Sequence, residues 1–204
     1  MKKLATLSIG LIAVCALTAC GGKGKEVKEE EFKAKAAEIE EHEYTSATVK
    51  FEYSDVTSVE GEEDQKQEGK GEIKFEKKDG EWTTDSEDEY VEVAQSYLEG
   101  NLKDLAKEDI SSSISGVYAG AETSCTFYVN PFGIDYTLKG QIELLGAKMD
   151  IDQKGYMEFD KYGYMTKIEG SGTVDTTVDQ EIAGVKISHK SHSVSSSKAT
   201  ISYK

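Results

Sequence analysis

The second half of the chain alternates between apolar and polar residues over long stretches. From Ile134 to Leu144 the even-numbered residues are apolar or glycine, and the odd-numbered residues between them are polar or charged. A period of two places the apolar residues on one side of a β-strand. Shorter stretches at Thr45–Tyr53 and Glu72–Lys77 alternate in the same way. From Thr123 to near the C-terminus we therefore predict an antiparallel meander with one buried face and one face in water.

The turns between these strands carry their own signals. Asp79-Gly80 is typical of a two-residue hairpin, and pairing across it places Trp82 opposite Lys77. At Asp160–Gly163 turns of three and four residues both fit, and we choose four, which pairs Phe159 with Tyr164 and keeps the apolar residues together. The other predicted turns are a four-residue loop over Asn130–Gly133, which pairs Phe127 with Tyr136 and Cys125 with Leu138, a turn near Gly146, and a three-residue turn ending in Gly155, which pairs Ile151 with Met157 and Met149 with Phe159.

This register assigns each side chain of the meander to one of two faces, because neighbouring residues of a strand point to opposite sides. The residues predicted to share the buried face are Cys125, Phe127, Tyr136, Leu138, Ile142, Met149, Met157, Phe159 and Ile168. Those predicted to share the wet face are Asp135, Lys139, Glu143, Lys148 and Asp150.

Helical patterns lie outside the strands. Glu26–Glu43 is rich in Glu, Lys and Ala, with a narrow apolar stripe. Ser86 and Glu89 have the spacing of a capping box, which would open a helix that ends at Gly100. A shorter helix is predicted over Leu102–Ile110, followed by a Ser/Gly loop over Ser111–Gly120. We therefore predict an α+β fold, mainly antiparallel β, in which two or three helices cover one face of a curved meander of about 8–10 strands.

The first twenty residues have the features of an export signal. Lys2 and Lys3 precede the uncharged apolar run Leu4–Ala19, which is shorter than the roughly 20 residues of a membrane-spanning helix. The run ends in Leu17-Thr18-Ala19-Cys20, which resembles the lipobox of bacterial lipoproteins.

The resemblance implies that the Cys20 thiol is joined to diacylglycerol and that the chain is cut before Cys20. Two acyl chains hold a protein stably on a membrane, whereas one alone is marginal. We therefore expect residues 1–19 to be a removed signal peptide, residues 20–26 a flexible tether and residues 27–204 a single domain. That domain would be lipid-anchored to the cell membrane on its extracytoplasmic side.

Composition and the few reactive side chains limit the kinds of function that this chain can have. The 204 residues include 39 Asp or Glu and 24 Lys or Arg, all of them Lys, for a net charge of -15. An acidic surface without arginine argues against nucleic-acid binding, and three cysteines argue against a disulfide framework. His189 and His192 lie three apart in a predicted strand and so face opposite sides, which argues against a metal site. Cys125 lies on the buried side of a strand, away from any predicted base. We therefore expect no catalytic residues, no metal, no cofactor and no enzyme activity.

Methionines and tyrosines cluster in the meander between Tyr156 and Met165. Such side chains under a curved sheet can line an apolar pocket, and ordinary core packing is the alternative. The element order and the lipobox are similar to those of half-barrel lipoproteins, a group that includes the lipoprotein localisation factors and mycobacterial lipid-carrying lipoproteins. The resemblance implies a helix-capped curved sheet over a lipid cavity. The candidate lining residues are Met149, Met157, Phe159 and Tyr164.

The predicted function is a non-catalytic, membrane-anchored binding module for an apolar or amphiphilic small molecule. The alternative is a surface protein that contacts another macromolecule through its polar sheet face or its acidic loops. Hydrophobic residues make up 37% of the 204 residues, and without the 13 that lie in residues 1–19 they make up roughly 34% of the remaining chain. An average domain has roughly 45–50% on a count that also includes glycine. Most of these hydrophobic residues are therefore needed for core, which argues against a large cavity.

Overall fold

The computed structural model describes residues 23–116, 120–144, 147–182 and 185–204. The predicted signal peptide, Cys20 and the turn near Gly146 lie outside these ranges. No helix within the described ranges is long and apolar enough to cross a membrane.

The described residues form nine strands and four short helices. In chain order these are β1 (Lys25–Val27), α1 (Glu29–Ala37), β2 (Ser46–Val59), β3 (Gln65–Lys78), β4 (Glu81–Thr83), α2 (Val91–Glu99), α3 (Leu102–Leu105), α4 (Ile110–Ser115), β5 (Glu122–Val129), β6 (Phe132–Leu144), β7 (Ala147–Phe159), β8 (Met165–Ile182) and β9 (Val185–Tyr203).

All nine strands belong to one open antiparallel sheet with the order β1-β5-β6-β7-β8-β9-β2-β3-β4. The last strand of the chain, β9, pairs with β2 along most of its length, from Ala47 opposite Tyr203 to Val59 opposite Ser191. The meanders β2–β4 and β5–β9 are thereby joined into a single sheet. The predicted fold class, a mainly antiparallel sheet with helices on one face, is confirmed.

The assignment of side chains to the two faces is also confirmed. All nine residues predicted to share the buried face lie on the side that packs against the helices, which we call the inward face, and each is buried or half-buried. Lys139, Glu143, Lys148 and Asp150 lie exposed on the opposite, outer face, and Asp135 lies half-buried there. The alternation of apolar and polar residues was enough for this result. A predicted turn that is wrong by an even number of residues changes which residues pair, but it leaves every side chain on the same face.

The β5–β6 hairpin shows such an even error. Phe127 pairs with Ile134 and Cys125 with Tyr136, two residues away from the predicted register. The connection is a two-residue turn at Asn130-Pro131, and Asn130 adopts a φ of 60°. Asn tolerates this left-handed conformation better than most residues, and tight hairpin turns require it.

The predicted turn at Gly155 is wrong. Residues 147–159 form one continuous strand, so Ile151 and Met157 lie along the same strand and do not face each other across a hairpin. Gly155 pairs with Tyr136, and a Cβ added at Gly155 would lie 2.5 Å from the ring atom Cζ and from the hydroxyl of Tyr136. The glycine is needed because an aromatic ring lies across the strand, and the sequence alone does not distinguish this role from that of a turn residue.

The connection between β7 and β8 also differs from the prediction. Phe159 pairs with Met165 rather than with Tyr164, and the register shifts between Glu158 and Phe159. This bulge absorbs one residue, so Ile168 pairs with Met157, two residues from the predicted register, and remains on the inward face. The amide nitrogens of Tyr162 and Tyr164 both donate to Asp160 Oδ1 at 2.9 Å, which shapes the turn.

The N-terminal helix is shorter than predicted. It covers Glu29–Ala37, and Lys25–Val27 pairs with β5 as a short edge strand. The last residues of the segment predicted as a flexible tether therefore belong to the sheet. Phe32 and Ala36 of the predicted apolar stripe are fully buried, as expected for the inner side of this helix.

Two further helix boundaries differ from the prediction, although the helix after Ser86 ends at Gly100 as predicted. The helix after Ser86 begins only at Val91, and Ser86 does not cap it; the Asp88 carboxylate accepts a hydrogen bond from the Tyr90 amide at 2.8 Å. The predicted loop over Ser111–Gly120 is helical in its first half, as part of α4. The Asp109 carboxylate accepts a hydrogen bond from the Ser112 amide and so caps the start of this helix. The helix was not predicted because a run of serines is more typical of a loop.

The inward face carries three separate apolar clusters. One packs α2 against β2, β3, β4 and β9, and it includes Trp82, whose indole N–H donates to the carbonyl of Leu98 at 3.1 Å. A second packs α1, α3 and α4 against β5, β6 and β7. The third, which we call the strand cluster, consists of the buried residues Leu138, Ile142 and Ile151. The partly buried Ala121, Tyr136 and Met149 pack against them, and none of these residues belongs to a helix.

Candidate functional site

The four predicted lining residues do not converge on one place. Met157 and Phe159 are buried in the second apolar cluster with Phe32 of α1. They are ordinary core between sheet and helices, which was the stated alternative for them. Met149 lies four residues before Gln153 on β7, which is two inward positions along the strand. It is half-buried at the edge of the strand cluster. Tyr164 lies at the end of the sheet where β7 turns into β8.

Gln153 is the unusual residue on the inward face. It lies between Ile151 and Gly155 of β7, in a position where the alternation calls for an apolar residue. Its side chain is only 4% exposed, and its Nε2 group has no hydrogen-bond partner among the described residues. A buried amide donor without a partner costs about 1–3 kcal/mol, because it has given up its bonds to water. Such a group is a natural place for a bound acceptor.

Other polar groups lie next to Gln153 on the same face, and we call Tyr136, Gln153 and Ser195 the polar row. The Tyr136 ring covers Gly155, which is the next inward position along β7. The Gln153 side chain lies across Gly172, since a Cβ there would be 2.6 Å from Gln153 Cγ. Ser195 pairs with Gly172 and is itself buried. The three side chains occupy inward positions of β6, β7 and β9, and the next inward position beyond Ser195 is the half-buried Asp55 of β2.

Burial favours the neutral form of Tyr136, the one member of this row that can ionise. It raises the pKa of Tyr136 to about 12, and the neighbouring Cys125 acts in the same direction. On α2 burial also raises the pKa of Tyr97, whose hydroxyl lies 3.0 Å from that of Tyr90. These phenols are neutral at physiological pH. The polar row therefore offers uncharged donors, which suit a carbonyl or carboxylate oxygen.

The polar row borders the strand cluster. Gln153 pairs with Leu138, and Ile151, two residues along β7, is buried beside Val174 of the neighbouring strand. Met149 follows at the next inward position. Moving along the inward face of β7 from Gln153 to Met149, hydrogen-bonding groups give way to apolar ones. This order matches a molecule that has one polar end and one apolar end.

Tyr164 belongs to a different feature, which we call the end groove. It consists of three adjacent depressions of about 380, 480 and 560 Å³ at the end of the sheet. Tyr164 lines two of them, and its hydroxyl donates to the carbonyl of His42 at 2.7 Å. The His42 ring stacks on Tyr162 at 4.1 Å. Among the lysines that line the groove, Lys35, Lys77, Lys103 and Lys107 are paired with acids, for example Lys77 with Glu43 at 3.0 Å, whereas Lys161 lies over the Tyr162 ring at 4.6 Å.

The residues considered for catalysis or metal binding are also placed. His192 lies on the outer face with its Nδ1 atom 2.7 Å from the Asp175 carboxylate. Within the described residues, no group of three His, Cys, Asp or Glu side chains lies close enough to hold a metal ion. Cys125 is half-buried beside Ser111, and burial raises the pKa of its thiol, the opposite of what a nucleophile needs.

Sequence reasoning missed the polar row, although one signal for it was present. In the run Met149, Ile151, Gln153 the third inward position of β7 is polar. A predicted turn at Gly155 gave this polarity an ordinary explanation. Once β7 is one strand, Gln153 is a polar residue in the middle of a buried face.

Comparison with known proteins gives no family assignment: no protein-family model, no curated protein and no solved structure matches this chain significantly.

Proposed function

We propose that the protein is an exported, lipid-anchored binding module that holds a small amphiphilic molecule on the inward face of its sheet. The polar end of the ligand would accept a hydrogen bond from Gln153 Nε2. Its apolar part would lie along Ile151 and Met149. The observation that carries the proposal is the buried, unpartnered amide of Gln153 beside the strand cluster.

The ligand class follows from the surroundings of this amide. Nε2 is a donor, and the hydroxyls of Tyr136 and Ser195 can donate as well, so the complementary group is an acceptor oxygen. The neighbouring side chains, Ile151 and Met149, are apolar, so the part of the ligand that contacts them is expected to be apolar and uncharged. A fatty acid or another acyl-chain lipid combines an acceptor oxygen with an apolar tail. The strand cluster is small, which favours a single chain over a large lipid.

Anchoring supports the same function. The lipobox at Leu17–Cys20 implies two acyl chains on Cys20, and a domain held by them stays within a short tether of the bilayer. Because Lys25 already belongs to β1, the free chain after Cys20 is short: Cys20 to Lys25 spans at most roughly 17 Å at about 3.3 Å per residue. A tethered site meets membrane-derived amphiphiles at a high effective concentration.

A catalytic role has less support. Cys125, the one thiol within the described residues, has a pKa raised by burial and by the carboxylates of Glu29 and Asp109, so it is held in the unreactive thiol form. His192 is on the outer face, paired with Asp175 and away from the polar row. A binding role requires only the polar row and the apolar residues of the strand cluster beside it.

Binding of a fluorescent fatty acid to the purified protein tests the proposal. The informative variant is Gln153→Leu, which keeps the side-chain volume and removes the donor. A hydrogen bond to a carboxylate contributes about 1.5–3 kcal/mol, so its loss should weaken binding by roughly 10–100-fold. The matched control is Gln141→Leu, since Gln141 lies exposed on the outer face and donates to Asp150. Its affinity should stay that of the unmodified protein.

Two results would contradict the proposal. One is a probe that does not bind the unmodified protein. The other is binding that Gln153→Leu and Gln141→Leu leave equally unchanged, because the probe would then be held somewhere else. Either result would favour the alternative function, a surface protein that contacts a macromolecule through its polar sheet face or acidic loops.

A further inference from the structure

Lys23, the first described residue, is docked on the outer face of the sheet. Its Nζ atom lies 2.6 Å from the Asp135 carboxylate. The same Nζ lies 5.5 Å from the ring centre of Tyr128 and 5.3 Å from that of Tyr156. The Tyr128 hydroxyl also donates to Asp135, at 2.8 Å. One ammonium group therefore meets a carboxylate and two aromatic rings, an arrangement that attracts cations.

We call Tyr128, Asp135, Tyr156 and Lys167 the outer patch. Its side chains are less exposed than most others on the outer face. Tyr156 points outward, yet it is only 7% exposed, and its ring lies across Gly133. Lys167 lies over the same ring at 5.5 Å and pairs with Glu169 at 2.8 Å. The side chains of this ion pair are 21% and 16% exposed, against 58% and 60% for Lys139 and Asp152 elsewhere on the outer face.

The backbone next to Lys23 is held as well. Lys25–Val27 pairs with Val129–Phe127 at the edge of the sheet. Between that strand and Lys23 lies Gly24, where an added Cβ would collide with the carbonyl oxygens of Val129 and Pro131. The chain thus passes closely around the edge of the sheet at a glycine and continues onto the outer face.

We propose that Lys23 fixes the direction in which the lipid anchor leaves the domain, so that the outer face of β5–β7 is turned toward the headgroups of the membrane. The inference rests on the proposed acylation of Cys20. Cys20 is three residues from Lys23, which limits the distance between their Cα atoms to roughly 10 Å. The helices are on the opposite side of the sheet, roughly 10 Å further from the membrane for each layer. The helix-covered side then faces away from the bilayer.

The outer face suits a headgroup layer as its partner. Lysines and acids alternate across this face, as in the pairs Lys139–Asp152 and Lys167–Glu169. Charges of both signs match zwitterionic headgroups and do not require anionic lipid.

Fluorescence quenching on vesicles tests this orientation. The acylated protein, carrying Cys125→Ser, would be reconstituted into phosphatidylcholine vesicles that contain a headgroup-labelled nitroxide lipid. A fluorophore would be attached at Lys154→Cys, exposed on the outer face, or at Glu108→Cys, exposed between α3 and α4. Stronger quenching at position 154 than at position 108 is expected. Lys23→Ala should abolish the difference, and Lys25→Ala, which removes the same charge from a neighbour paired only with Glu31 at 3.8 Å, should preserve it.

Three results would overturn the inference: equal quenching at the two positions, stronger quenching at position 108, or a difference that Lys23→Ala leaves intact. Failure of the acylation itself is distinguishable from all three. Protein that lacks the lipid would not stay with the vesicles when they are sedimented, so neither position would be quenched.

Discussion

Gly155→Ala probes the corrected register of the central strands. In the structure Gly155 lies in the middle of β7, and the Tyr136 ring lies over it. A Cβ at this position would be 2.5 Å from Cζ and from the hydroxyl, and 2.7 Å from Cε1. Ordinary contacts between such atoms are about 3.5–4.0 Å, so the new methyl group overlaps the ring by about 1 Å.

The size of the effect follows from how the ring can respond. Tyr136 is held between strand and core, so it must leave its rotamer or push the neighbouring strand, and overpacking of this kind costs about 1–3 kcal/mol. Replacing glycine by alanine also lowers the entropy of the unfolded chain, which stabilises by about 0.4–1 kcal/mol. We expect a net loss of about 1–2 kcal/mol in the free energy of unfolding, or about 2–4 °C in melting temperature for each kcal/mol.

A double-mutant cycle in urea separates the clash from other effects. Tyr136→Leu ends the side chain before the ring atoms that lie over Gly155. In that background Gly155→Ala should be neutral or stabilising by up to about 1 kcal/mol. Gly100→Ala is the control, because Gly100 has a φ of -87° and nothing within 4 Å of an added Cβ. Equal costs for Gly155→Ala in the two Tyr136 backgrounds would refute the register.

Three further predictions concern packing, pH and anchoring. Phe159→Ala should lower the free energy of unfolding in urea by about 2–5 kcal/mol, because Phe159 is buried between sheet and helices; a surface-like cost below about 0.5 kcal/mol would contradict its placement. Burial, joined for Tyr128 by the hydrogen bond to Asp135, raises the pKa of Tyr128 and of Tyr136 to about 12. The folded state keeps these protons to higher pH than the unfolded state, so protonation of the two tyrosines stabilises the fold fully below about pH 10, and this contribution is lost as the pH rises through about 12. Tyrosinate absorbance should therefore appear together with unfolding. Full ionisation of all tyrosines near pH 10 in the folded protein would contradict the raised pKa values. Cys20→Ala should move the protein from the membrane to the soluble fraction in a bacterium that acylates lipoproteins, and unchanged membrane attachment would argue against the lipobox.

The parts of the fold that followed from sequence are those governed by short-range periodicity. Alternation placed Leu138, Ile142 and Phe159 on one face because it needs only the strand and not its partner. The Asp79-Gly80 turn was found because both residues adopt the positive φ angles that such a turn requires, 54° and 90°.

The parts that failed depend on contacts across the sheet. Glycine serves both in turns and beneath aromatic rings, so Gly155 could not be assigned until Tyr136 was seen to lie over it. The role of Gln153 depended on the same correction. Lys23, in a segment whose glycines and lysines are typical of a tether, is docked because Asp135 and two tyrosines more than a hundred residues away form its binding place.

Native mass spectrometry of the full protein, extracted from membranes in mild detergent, tests lipid anchoring and ligand binding in one experiment. We expect a chain that begins at Cys20 and carries covalent diacylglycerol. We also expect a non-covalently bound amphiphile that is retained by Gln141→Leu and lost from Gln153→Leu. A ligand-free mass for the unmodified protein, or a ligand retained equally by both variants, would contradict the proposed binding site.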